Sequence, residues 1–267
     1  MAEVWLIDAS AAAYMAAMVA AIVAATRGDG RAIWALRLLG TALGLHTVAI
    51  ALRWIRLDHG PYVDLFEILS SNVWSLHAVV LAATAALPRL RASLAPALVV
   101  LSVLVLWMVV APVRDTMVPV TYDTWWLPIH MVLGKLFLGL TVVALGMALV
   151  VLVRRLAGLK WSAAPETPVA AALAHRVMVF AVGFETLMLV AGAAWARDAW
   201  GRYWAWDPLE SWALLTWLAA LAYLHWLPQN RERAALGAAM IAAVFILAFF
   251  TFFGVPFLST APHKGMV

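Results

Sequence analysis

The 267-residue chain contains no cysteine. This excludes disulfides, thiolate metal sites and thiol redox chemistry from the chain itself. Charge is also scarce: 12% of the residues are Asp, Glu, Lys or Arg, about half the share of a soluble domain. Hydrophobic residues make up 66%, which points to an integral membrane protein. The net charge is +4, but the basic residues sit between apolar runs and never cluster. They read as basic loops on one side of a membrane, and no nucleic-acid partner is expected. The opening MAEVWLIDAS is short and acidic and lacks the layout of a cleaved signal peptide, so the apolar run after it is expected to be a retained span. There is no convincing internal repeat and no low-complexity segment beyond Ala, Val and Leu enrichment.

What the chain does have is long apolar runs. About eight are long enough to cross a bilayer, each needing roughly 20 residues. Their approximate limits are 8–26, 33–55, 66–87, 93–112, 127–153, 169–196, 211–228 and 235–258. The predicted fold class is therefore an all-α membrane bundle of about eight helices, a single domain over 1–267. Arg27, Arg31, Arg37, Arg89, Arg91, Arg154, Arg155, Lys160, Arg176, Arg231 and Arg233 fall at one set of helix ends. A smaller set, Arg53, Arg56, Arg114, Arg197, Arg202 and Lys264, falls at the other. The richer side is expected to be cytoplasmic, which would put both termini outside.

Tryptophan is abundant, with 15 in the chain, and the stretch WGRYWAWDPLESWALLTW holds Trp200, Trp204, Trp206, Trp212 and Trp217. Arg202, Asp207 and Glu210 are interleaved. An aromatic belt at the headgroup level would explain isolated residues such as Trp5, Trp34 and Trp54. The crowding in a loop spanning about 198–212 suggests a binding platform instead: flat apolar faces, each with one N–H donor, and Arg197 and Arg202 available for anionic groups. Asp207 as N-cap, Pro208 in the first turn and Glu210 just inside predict a shaped start for the seventh span.

This stretch resembles the WWD signature of the heme-handling protein superfamily, W-G-x-x-W-x-W-D-x-x-E-x-W-x-L-x-x-W, with every fixed position occupied. The superfamily includes the CcsA/ResC proteins of System II cytochrome c assembly and the CcmC and CcmF proteins of System I. In that family the loop presents heme on the outer face of the membrane.

Seven histidines must then be weighed. Most lone histidines are ordinary polar residues with a satisfied hydrogen bond, but ionisable groups inside a membrane are costly and are candidates for function. His46 and His225 fall inside the second and seventh spans and are expected near one depth. His130, after TWWLPI, and His263, in APHKGMV, fall at the level of the tryptophan loop. Topology thus gives one buried pair and one external pair, suited to axial ligation of heme iron. The resemblance agrees: YLH, WLPIH and FFGVPFLSTAPH are similar to the family's histidine-bearing segments, and HGPYVDLFEIL, with Glu67, is similar to its P-x-x-N-x-Y-E segment. Leu209, Pro256 and Lys264-Gly265 depart from the family pattern. His59, His77 and His175 are expected to be ordinary polar residues, His77 the one to watch because it too is intramembrane. Roles for Lys135 and Glu185, both inside spans, are left open.

The resemblance implies a CcsA/ResC-type protein that handles heme b as a subunit of a holocytochrome c synthase. His46 and His225 would hold the inner heme. His130 and His263 would hold the outer one under the loop formed by Trp200, Arg202, Trp204, Trp206, Asp207, Glu210 and Trp212. It also implies a CcsB/ResB-like partner, an apocytochrome c substrate bearing CxxCH, and a bacterial plasma membrane with the site facing outward. CcmC-type delivery of heme to a chaperone, a HemX-like membrane regulator and a bis-histidine cytochrome b are the competing readings.

Overall fold

A computed structural model describes residues 2–27, 32–157, 164–226 and 233–260. His263, Arg31, Lys160, Arg231 and Lys264 lie outside the described residues. Eight long helices follow one another: α1 (Ala2–Arg27), α2 (Ala32–Leu57), α3 (Leu65–Ala86), α4 (Leu94–Val110), α5 (Trp126–Ala157), α6 (Thr167–Trp200), α7 (Pro208–Trp226) and α8 (Ala234–Phe253), closed by a short α9 (Val255–Leu258). No described residue is in a strand. The chain is a multi-pass helical membrane protein: seven helices are long and apolar enough to cross a bilayer. The expected eighth span is α7. Its 19 residues carry Glu210, Tyr223, His225 and three tryptophans, so its hydropathy falls short although its length does not.

The helices are apolar nearly all round, as lipid-solvated helices are. Ile55, Val110, Phe180 and Ile246 are at least 65% exposed. Without a hydrophobic force between helices, close packing needs small side chains. In α1, Ser10, Tyr14, Ala17, Ala21 and Ala24 form one buried stripe and pack against α2 and α4. Helix α5 is the central post, touching α3, α4, α6 and α8. Its glycines permit this. A methyl group at Gly139 would stand 2.8 Å from the Val79 Cβ, and one at Gly146 would stand 2.7 Å from the Ser93 carbonyl oxygen.

Two helix ends differ from expectation in a way that matters. Helix α6 runs on to Trp200 and stops where Gly201 adopts φ 77°, donating its N–H to the Arg197 carbonyl. Helix α7 then begins at Pro208. The non-helical tryptophan loop is therefore 201–207, shorter than the expected 198–212; Trp200 and Trp212 belong to the flanking helices.

At the same end of the bundle, Arg53 of α2 is buried in an acidic cage. It donates to Glu67 (Nε to Oε1, 2.9 Å), to Asp64 (3.3 Å) and to the Arg114 carbonyl, with Glu3 at 3.5 Å. Arg56 beside it bonds Glu3 and Asp115. These contacts tie α1, α2, the start of α3 and the segment after α4 together.

Candidate functional site

The start of α7 is built by a reciprocal hydrogen-bond box. Asp207 Oδ1 accepts from the Glu210 N–H at 2.9 Å, and Glu210 Oε2 accepts from the Ala205 N–H at 2.7 Å and the Asp207 N–H at 3.3 Å. Each group satisfies a donor that the first helical turn leaves orphaned. Trp206 just before it has φ 59°, a left-handed conformation that a bulky residue adopts only when its surroundings enforce it. So the Asp and Glu of the motif shape the backbone, and the aromatic residues are distributed by that shape. Trp206 is 70% exposed and stands edge-on to Trp204, centroids 5.7 Å apart. Trp204 turns inward to line a cavity. Trp212 packs edge-on against Phe250 of α8. Arg202 is exposed.

The cavity has a volume of about 210 Å³ and lies between α3, α5, α6, the start of α7 and α8. Its walls are Trp195, Trp204, Tyr203, Tyr122, Tyr62 and Met188, with His130, Lys135, Asn72, Glu210 and Thr251 as polar groups. Burial raises the Tyr122 phenol above its ordinary pKa range, so it remains a neutral O–H. His130 sits in the first turns of α5 against α6. Its Nδ1 lies 2.9 Å from the Met188 carbonyl oxygen and its ring is stacked on Trp195 at 5.8 Å. Gly192 creates that place, since a methyl group there would come within 2.8 Å of the His130 ring. A carbonyl can only accept, so Nδ1 carries the proton and Nε2 is the unprotonated nitrogen of the neutral ring.

Trp195 is the hub that sequence reasoning missed. It contacts His130, Trp200 (5.0 Å) and Tyr122 (6.1 Å), and its indole N–H donates to the Thr121 carbonyl. The one available signal was its position five residues before Trp200, at the same helix end.

The two intramembrane histidines are not brought together. His46 is fully buried: Nε2 is 2.9 Å from Ser70 Oγ and Nδ1 3.2 Å from Tyr14 OH. His77 shares this pocket, its ring 4.1 Å from that of Tyr14. His225 is exposed, with Nδ1 bonded to the Leu221 carbonyl of its own helix. It is the penultimate residue of α7. At 1.5 Å per residue, it lies about 25 Å from the loop end of its helix and His46 about 16 Å from that of α2. The equal depth expected of the pair is not seen. Helix α2 packs mainly on α1 and α3, and α7 on α6, α8 and α9.

The chain is thus an apolar multi-pass helical bundle with an aromatic-walled cavity under a tryptophan-rich loop at one end. The family model described as "Cytochrome C assembly protein" matches residues 62–263, so the chain belongs to that family. The cytochrome c biogenesis protein CcsA of Guillardia theta is 39% identical over 92 residues, 34% of this chain and 31% of that protein. The CcsA of Gloeobacter violaceus is 40% identical over 98 residues, 34% and 27% of the two chains. The aligned segment thus spans about a third of the length of the curated relatives. A solved structure of the cytochrome c heme lyase CcmF superimposes with a TM-score of 0.76 at 21% identity, covering 99% of this chain and 48% of that one. At that identity it establishes the shared fold.

Proposed function

We propose that this CcsA-type cytochrome c biogenesis protein holds heme b in the cavity beneath the tryptophan loop, with His130 as an iron ligand, and offers it there to apocytochrome c. The observation that carries the reading is the convergence of His130, Trp195 and Trp204 on one cavity. His263, outside the described residues, is the proposed second axial ligand. Each thioether would form by addition of a substrate Cys S–H across a heme vinyl C=C, so no leaving group is needed. The reacting thiols come from the CxxCH segment of the substrate, as a chain without cysteine requires. The protein's part is to orient the porphyrin and exclude water. The basic-residue asymmetry supports an outward-facing cavity in a bacterial plasma membrane, and a CcsB/ResB-like subunit is the proposed partner.

His46 and His225 are proposed as ligands of an inner heme, which requires α2 and α7, not main packing partners here, to close on one iron. His225 already faces outward from α7, whereas His46 would have to release Ser70 to present Nε2.

The test is the absorption spectrum of the detergent-purified chain, co-expressed with a ResB-like partner, with His46, His130, His225 and His263 each changed to Gly. We expect His130→Gly to weaken the low-spin heme bands and added imidazole to restore them. A heme spectrum indifferent to His130→Gly would remove the cavity from the reading.

A further inference from the structure

The cavity contains polar groups that the fold itself leaves unsatisfied. Lys135 lines it and makes no hydrogen bond or ion pair with another described residue. The indole Nε1–H of Trp204 and the Oδ1 of Asn72, both buried, also lack partners. An ammonium inside a bilayer-spanning segment is costly unless compensated, and each buried unpaired donor adds to that cost. The acid in the same cavity does not compensate it. The Glu210 carboxylate is committed to the backbone N–H groups of Ala205 and Asp207. A cation without a carboxylate partner among the described residues, on the inner wall of an aromatic cavity, describes a place for a ligand carboxylate.

We infer that Lys135 is the anchor for a carboxylate of the ligand in this cavity, so that a bound heme lies with its propionate edge inward and its vinyl edge toward the tryptophan loop. The inference rests on the proposed heme-holding role. Its geometry comes from the helix: Lys135 is five residues further along α5 than His130, about 7.5 Å deeper from the loop end. Propionates and vinyls occupy opposite edges of the porphyrin. Anchoring one edge below His130 therefore turns the reactive edge to the mouth, where a substrate thiol can reach it. Lys135 is a positioning residue in this scheme, and it acts through charge.

The experiment compares hemin with its dimethyl ester, which keeps the ring, the iron and the vinyls but has no free carboxylate. The full chain in detergent is titrated with each and followed in the Soret band. A charge-assisted contact of this kind corresponds to about tenfold or more in affinity. Wild type should bind hemin tighter than the diester by about that factor. Lys135→Met should lose the preference by weakening hemin alone, and Lys135→Arg should keep it. Equal wild-type affinity for hemin and diester overturns the inference without any variant. So does a Lys135→Met chain that weakens both ligands equally, or neither. Failure of the parent reading looks different: His130→Gly would then leave binding of both ligands unchanged.

Discussion

The starts of α3 and α7 use the same local device in opposite settings. Asp64-Leu65-Phe66-Glu67 and Asp207-Pro208-Leu209-Glu210 are both D-x-x-E. In each, the Asp Oδ1 accepts from the Glu N–H (2.8 and 2.9 Å) and the Glu Oε2 accepts from a backbone N–H just upstream (Val63, 3.0 Å; Ala205, 2.7 Å). At α3 both acids are also bound by the buried Arg53, so the box is closed and structural. At α7 the Glu faces the cavity and an aromatic loop, with no ion pair among the described residues. A capping motif therefore says where a helix begins; the tertiary partner decides whether that beginning is a pin or the rim of a site.

The largest effect that would break this contrast is removal of the pin. Arg53 is 5% exposed, so Arg53→Met leaves Asp64 and Glu67 as buried, uncompensated carboxylates, at a cost of about 3–5 kcal/mol. Thermal unfolding in detergent should shift strongly downward, and hemin bound per folded molecule should stay near wild type. A small shift in the melting midpoint would mean that the cage is not what holds α1, α2 and α3 together.

A smaller, sharper test swaps the two caps. Losing an Asp cap costs about 0.5–2 kcal/mol. Asp207→Ala should cost about that much and also weaken hemin binding, because the cavity wall at Trp204 and Glu210 is set by this turn. Asp64→Ala should destabilise more, having lost an Arg53 contact as well, but leave hemin binding unchanged. If both variants affect stability and binding in the same ratio, the division between pin and rim does not hold.

How much of this was legible beforehand follows the same line. Asp207, Pro208 and Glu210 showed where α7 begins, because capping is local chemistry. The apolar runs gave the helices, and α7 fell short as a span by composition because of Glu210, His225 and its aromatic residues. The exit from α6 was misjudged by four residues, since Trp200 is apolar enough to continue a helix and only Gly201, in its left-handed conformation, ends it. His130 was found because it follows a loop signal. Trp195, Asn72 and Tyr122 were not, since their meaning arises only when α3, α5 and α6 pack together. The pairing of His46 with His225 rested on depth and on the family resemblance. Depth counts residues along a helix but carries no information about which helices are neighbours, and His77 and Tyr14 turned out to share the pocket of His46.

The smallest effect concerns the rim of the pin. Asp115 is an exposed carboxylate 2.7 Å from Arg56 and 3.7 Å from Arg53. The hydrogen bond from Arg56 holds its pKa below the ordinary carboxylate range. A pKa lowered by folding gives a contribution that is present above the unfolded-state value and lost as pH falls through the folded one. Asp64 has the opposite sign: burial raises its pKa, so its contribution is present below the unfolded value and lost as pH rises through the folded one. Between about pH 5 and 3 the two oppose each other. Asp115→Asn should therefore flatten the fall of the melting midpoint with acid, and Asp64→Asn should steepen it. The Asp115 effect should weaken in about 1 M salt, where the screening length falls to about 3 Å, whereas that of the buried Asp64 should persist. An acid limb that survives Asp115→Asn intact would show that Asp115 adds nothing to the pin, leaving Glu3, Asp64 and Glu67 as its acidic complement.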